Sequence, residues 1–466
     1  MTYARPHAET HTAPHTAPPH HVREPRPTAA EAVRDFAARA FGAGVSAVLL
    51  IVLAVLAVLG LVALVLQILS GPQPYAKWGY TAAVLAFLFS TVHSAPLLAF
   101  ATRLAKGFWA VPIRRAVELY FTAGLITTPL FLVLLFQLPS FQGRRSIWND
   151  WPGSPYVYDA VLVIVFSLTG WALLYFTTRP DMAVLRDHGR RHAFTRWGAS
   201  WRGTPKQWSV LTTGLILLGA FYLALYAYVH IFMVADMAMS LVPGWKSAIY
   251  PAYHGVSGLE AGIATALLTA AALRKWGGLR GYIQLPLFWG AAKPLLATAL
   301  LFFYFSWDEF ITYWYGRTPD EMLLIDLLMF KSYLWLFVLS FLMNFVLPFL
   351  LLIWNPIRVS INGPPRVAAI VLLGNFIDRI RIYVASWSVA GPPDQHLDAA
   401  TLPPFQLPTL FDLLIVVGAL AGVLLLYLLA LRRFPPISLW EYKQADLLTV
   451  EKKYLKSHVA VIAKPD

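Results

Sequence analysis

Not one cysteine occurs among the 466 residues, so disulfides, iron–sulfur ligation and CxxCH haem attachment lie outside this chain's own chemistry. Charge is scarce as well: 13% of residues are Asp, Glu, Lys or Arg, against about 25% in soluble globular domains. No P-loop or other nucleotide motif is present, which removes ATP-driven transport. Alternating strand-like segments are missing too. What is left is apolar: 58% of residues are hydrophobic and the mean hydropathy is +0.59. Such a chain belongs in a bilayer, where only helices and closed barrels satisfy their own backbone. It therefore reads as an all-α membrane protein.

Ten segments are long enough to span, at about 43–69, 78–101, 116–138, 157–176, 208–235, 253–273, 284–307, 331–353, 366–388 and 410–431. Residues 1–40 are polar and the first apolar run is too long for a signal-peptide core, so no cleavable leader is expected. Three regions follow. Residues 1–40 form a disordered tail, in which His7, His11 and His15 are interrupted by prolines, ending in a short amphipathic helix over 29–40 that Thr28 and Glu31 cap. Residues 41–431 form the membrane domain, and residues 432–466 a second tail at headgroup level.

Ten crossings leave both termini on one side. The loops and tails of that side hold 28 of the 37 lysines and arginines and the opposite side 6, so both termini are expected in the cytoplasm. The net charge of +13 then orients the chain and attracts anionic lipid, without calling for nucleic acid.

Ionisable groups inside hydrocarbon are costly and mark functional sites. By depth, His93, Arg114, Arg115, Glu118 and Lys293 fall in the cytoplasmic half; His230, Asp236, Glu260, Asp308 and Glu309 in the outer half; and Asp378, Arg379 and Arg381 near the middle. Glu118 has Arg114 and Arg115 within helical reach, and Asp378 has Arg381. Arg379 points about 100° away, with Glu260 and Asp378 as candidate partners. Two half-paths for protons emerge, meeting near Lys293 and Asp378: His93, Glu118 and Lys293 below; Asp378, Arg379, Arg381, Glu260 and Asp236 above. Only His93 and His230 are counted within spans, at opposite ends, so neither an intrinsic haem pair nor another metal site is expected.

The connection "DEFITYWYGRTPDEM" gathers Asp308, Glu309, Asp320 and Glu321 with Tyr313, Trp314 and Tyr315, an outer rim suited to a docking partner.

Four stretches resemble a known family. "FWAVPIRRAVELYF" (108–121), "DMAMSLVPGWKSAIY" (236–250), "GAAKPLLATALLFFYFSWDEFITYWYGRTPDEM" (290–322) and "NFVLPFLLLI" (344–353) are similar, in order and spacing, to signatures of the ActF subunit of alternative complex III. That subunit is one of the NrfD/PsrC-like polytopic membrane proteins. Met237, Arg317 and Asp320 depart from its usual Trp, Asn and Glu. The resemblance implies two four-helix bundles, helices 2–5 and 6–9, flanked by one helix at each end. It implies an integral-membrane subunit of a quinol:electron-acceptor oxidoreductase of the bacterial cytoplasmic membrane, without redox centres of its own and contributing to proton translocation. Its partners would be a sister NrfD-like quinol-binding subunit, a periplasmic iron–sulfur subunit, haem c subunits and lipid, with menaquinol as the complex's substrate. Two rival readings are the quinone-binding anchor of a molybdopterin-type, polysulfide reductase-like enzyme and a secondary transporter.

Overall fold

The structure, a computed structural model, describes residues 26–38, 45–141, 146–148, 151–391 and 402–448, with backbone alone at 449–454 and 457–462. The His7, His11 and His15 segment lies outside the described residues. Helix α1 (Ala29–Ala38) starts where the sequence placed it. The Thr28 amide donates to Glu31 at 2.7 Å and the Glu31 amide returns a bond to Thr28 Oγ1 at 3.3 Å.

Among the described residues nine helices are long and apolar enough to cross a membrane. They are α2 (Ala47–Leu69), α3 (Tyr75–Leu104), α4 (Phe108–Gln137), α5 (Tyr156–Asp187), α6 (Pro205–Leu241), α7 (Tyr250–Lys275), α8 (Leu285–Gly316), α9 (Leu334–Ile353) and α11 (Leu410–Leu431). Helix α10 (Gly363–Ser388) is as long as α7, but Arg366, Asp378, Arg379 and Arg381 break its apolar run. The protein is thus an all-α polytopic membrane protein. A last helix, α12 (Leu439–Leu448), precedes an antiparallel hairpin, β1 (Thr449–Tyr454) and β2 (Ser457–Ile462), that the helical reading did not anticipate.

Helices α1 and α12 clasp one another. The Tyr442 hydroxyl donates to the Pro27 carbonyl at 2.7 Å, and the Ala29 amide to Asp446 at 3.0 Å. Their side is the terminal face, and the far side the distal face.

Helices α3 to α6 contact each other in sequence, as do α7 to α10, and α3 touches both α7 and α10 where the two groups meet. Within its most apolar stretch α3 is 94% buried, whereas α2 is 17% buried, so α3 is the central post and α2 the periphery. The first and last spans sit together: α2 packs along α11. Lipid gives no hydrophobic drive for such contact, and close backbone approach replaces it. A Cβ on Gly60 would fall 2.7 Å from the Gly418 Cα, so only glycine allows this crossing.

One boundary needs correction. The span expected to end near 307 continues as helix to Gly316, where Arg317 turns left-handed at φ 48°. Asp308 to Tyr315 are therefore helical. A short helix, Pro319–Ile325, follows, and Glu321 caps it by accepting from the Thr318 amide at 3.2 Å.

Candidate functional site

Three regions gather most of the buried ionisable groups discussed above. At the terminal face, the first turns of α4 carry Arg115 and Glu118 at helical i,i+3 spacing, 3.1 Å apart. Glu118 also meets Arg103 of α3 at 2.5 Å, and Arg115 reaches Asp181 of α5 at 2.9 Å. Arg114 does not pair with Glu118 as expected. It turns to Glu441 of α12 at 2.8 Å, which Arg103 also approaches at 2.9 Å. Three guanidiniums face three carboxylates, and every carboxylate is paired. Burial pushes the Glu441 carboxyl up, but Arg103 and Arg114 overcome this and hold it at about 2. Residues 432–448 therefore do more than rest at the surface.

The second region lies where the two helix groups meet. Arg381 donates twice to Asp378 Oδ1, at 3.1 and 2.8 Å, the i,i+3 pair read from sequence. Arg379, rotated away on α10, donates to Ser90 Oγ at 3.1 Å, to the His254 carbonyl at 3.1 Å and to Ser257 Oγ at 2.5 Å, and lies 3.6 Å from Asp378 Oδ2. Glu260 is not its partner. It is fully buried on α7, and neither of its oxygens has a hydrogen-bond partner among the described residues. An isolated carboxylate in so apolar a place costs several kcal/mol, so Glu260 must be met by a proton or by water.

Two histidines extend this region. His254 Nδ1 lies 2.9 Å from His230 Nδ1, and His254 Nε2 lies 3.1 Å from the Tyr383 hydroxyl. One Nδ1 donates and the other accepts, so the pair shares a proton site. Sequence reasoning overlooked His254, one residue inside its predicted span, and therefore counted only two intramembrane histidines.

The expected lower half-path does not assemble. His93 is buried, its Nε2 2.7 Å from Thr127 Oγ1, beneath the stacked Phe89 ring. Among the described residues no hydrogen bond joins it to Glu118. Lys293 is exposed on α8, its Nζ 4.0 Å above the Trp289 ring. Its helical phase turns it away from Asp378.

The third region is distal. Asp236, placed at the outer end of the upper half-path from sequence, is fully buried. It accepts from the Ile147 amide at 3.3 Å and adjoins Asp159, to which Trp148 Nε1 donates at 2.8 Å. Asp159 was not singled out from sequence. Glu309 is buried as well, accepting from Ser247 Oγ at 2.5 Å, and Tyr313 one turn later donates to the Lys246 carbonyl at 3.1 Å. These two face inward and leave the rim. Asp308 is half-buried, while Trp314, Tyr315 and Asp320 are exposed, Tyr315 by 81%. The Asp320 side chain lies against Gly244, whose φ of +79° and lack of a Cβ both suit glycine. A cavity of about 750 Å³ opens here, lined by Ile147, Ala235, Ser240, Trp245, Lys246 and Ser247. Tyr250, whose buried hydroxyl has no hydrogen-bond partner among the described residues, lies within electrostatic reach of Arg381, Asp378 and Glu309.

Three of the stretches quoted from the sequence lie in these regions: 108–121 supplies Arg114, Arg115 and Glu118, 236–250 part of the distal cavity wall, and 290–322 Glu309. Among the described residues no three His, Asp or Glu side chains gather as a metal ion would need. No protein-family model and no curated protein matches this chain.

Proposed function

We propose that this chain is the proton-handling membrane subunit of a bacterial quinol oxidoreductase complex of the alternative complex III type. In this reading it crosses the cytoplasmic membrane ten times with its terminal face in the cytoplasm, a direction favoured by the skew of lysine and arginine toward that face. Iron–sulfur, haem c and quinol-binding subunits handle the electrons. The proton steps belong to the middle and distal regions: Glu260 holds the proton, the His230–His254 pair exchanges it, and Tyr250 and Glu309 deliver it to the distal cavity, while Asp378, held by its two arginines, fixes the charge around them. Trp314, Tyr315 and Asp320 remain on the surface for a periplasmic subunit.

One observation carries this reading. A carboxyl group with no hydrogen-bond partner among the described residues lies within electrostatic reach of Asp378, which Arg379 and Arg381 share, so gain or loss of a proton at Glu260 changes the local charge balance by one. Side chains of this kind suit a relay. The experiment is twofold. The complex purified through a tag on this chain contains iron–sulfur and haem c subunits by mass spectrometry; their absence ends the assignment. In proteoliposomes Glu260→Gln lowers the proton-to-electron ratio while quinol oxidation continues; an unchanged ratio removes Glu260 from the path.

A further inference from the structure

A second cavity, of about 1480 Å³, lies at the terminal face, away from every group invoked above. It opens between α2, α7 and α11, with α1 across its mouth. Its walls are aliphatic, formed by Leu268, Leu372, Leu424 and Leu428 among others. Among its polar groups, Arg34 and Tyr427 bear on what it could hold. Arg34 of α1 stands exposed at the mouth, without an ion pair among the described residues, whereas its neighbour Asp35 is engaged by the Tyr282 hydroxyl at 2.7 Å. Tyr427 lies four residues inside the end of α11, roughly 6 Å deeper at a rise of about 1.5 Å per residue. Its hydroxyl is buried and has no hydrogen-bond partner among the described residues. Its ring stacks on Tyr120 at 4.3 Å, and the Tyr120 hydroxyl is already committed to Thr269 at 2.8 Å. One donor is left over.

A surface cation at the mouth, a lone hydroxyl about one turn inside the end of α11 and then hydrocarbon reproduce the order of a phospholipid: phosphate, ester carbonyl, acyl chain. The volume exceeds the roughly 300–1,000 Å³ of ordinary small-molecule pockets, as two chains require. Trp276, exposed at the rim beside Lys275, has the character of an interfacial anchor. We propose that this cavity holds one anionic phospholipid, its phosphate against Arg34, an ester carbonyl accepting from Tyr427 and its chains between α7 and α11. The lipid fills the gap between the paired outer helices and the bundles and fixes α1 at the membrane surface.

The test uses the full-length protein in mild detergent. After a delipidating wash, native mass spectrometry and lipid extraction recover one bound phospholipid per chain. On re-addition, phosphatidylglycerol is retained over phosphatidylcholine. Arg34→Glu, an exposed change, lowers phosphatidylglycerol retention about tenfold, the loss of one charge-assisted bond. Tyr427→Phe lowers it a few-fold for both lipids, and Leu428→Trp, which fills the cavity, abolishes it. Should Leu428→Trp misfold, Arg34→Glu and Tyr427→Phe decide the matter. Equal retention in wild type and Arg34→Glu overturns the proposal. So does recovery of an isoprenoid quinone in place of the phospholipid from wild type but not from Tyr427→Phe.

Discussion

The terminal-face network and the middle cluster contain nearly the same ingredients, yet they treat charge in opposite ways. At the terminal face Arg103, Arg114 and Arg115 meet Glu118, Asp181 and Glu441, and each carboxylate is held between 2.5 and 3.1 Å by at least one guanidinium. In the middle, Arg379 and Arg381 share Asp378, and Glu260 has no hydrogen-bond or ion-pair partner among the described residues. A carboxylate pinned by two arginines is a poor proton acceptor and a good fastener. A carboxyl without partners stabilises little and is free to titrate. Burial of an acid in the membrane is therefore no guide to its role; its partners decide.

This contrast can be broken by mutation. The largest effect is expected for Glu441→Ala, which leaves buried Arg114 without its acid, takes one of the two acids from Arg103 and destabilises the protein by about 3–5 kcal/mol, read as loss of thermal stability in detergent. The same group should set the acid limb of stability. Its folded pKa, about 2, lies below its ordinary 4.5, so its contribution is fully present above 4.5 and is lost as pH falls toward 2. That loss is roughly 3 kcal/mol and disappears from the pH profile of Glu441→Gln. Next comes Gly60→Val at the α2–α11 crossing, where overpacking costs about 1–3 kcal/mol and separates the pair in a cysteine cross-linking assay. Glu260→Gln sharpens the comparison. No bond is removed, so its thermal midpoint stays within about 1 kcal/mol of wild type while proton coupling is lost. A large stability loss there would reveal a hidden partner. Lys293→Met, on an exposed face, changes stability by no more than about 0.5 kcal/mol and leaves coupling intact.

The membrane character and the local pairs were legible because they depend on composition and short spacing. Thr28 with Glu31, Arg115 with Glu118, and Asp378 with Arg381 are each three residues apart on one chain segment. Glu441 was invisible as a site residue because its partner Arg103 lies 338 residues away, and nothing local marks that encounter. The reach of α8 past residue 307 was hidden by polarity. Asp308, Glu309 and Thr312 lower the hydropathy, yet Glu309 and Tyr313 recur at i,i+4 and both are buried, a periodicity that could have extended the helix. Lys293 was misplaced because depth was inferred without rotational phase. His254 carried a usable signal, a histidine at the threshold of an apolar run, and was passed over because it adjoined a loop.

The engagement of Glu441 also dictates an order of biogenesis. Arg103 and Arg114 are synthesised more than three hundred residues before the acid that neutralises them. Until α12 arrives, the nascent domain carries surplus positive charge at its terminal-face seam, where Arg103 holds Glu118 but Arg114 waits for Glu441. Insertion of the spans and completion of the fold are thus separate events, and the second waits for the chain's far end to return and close the seam.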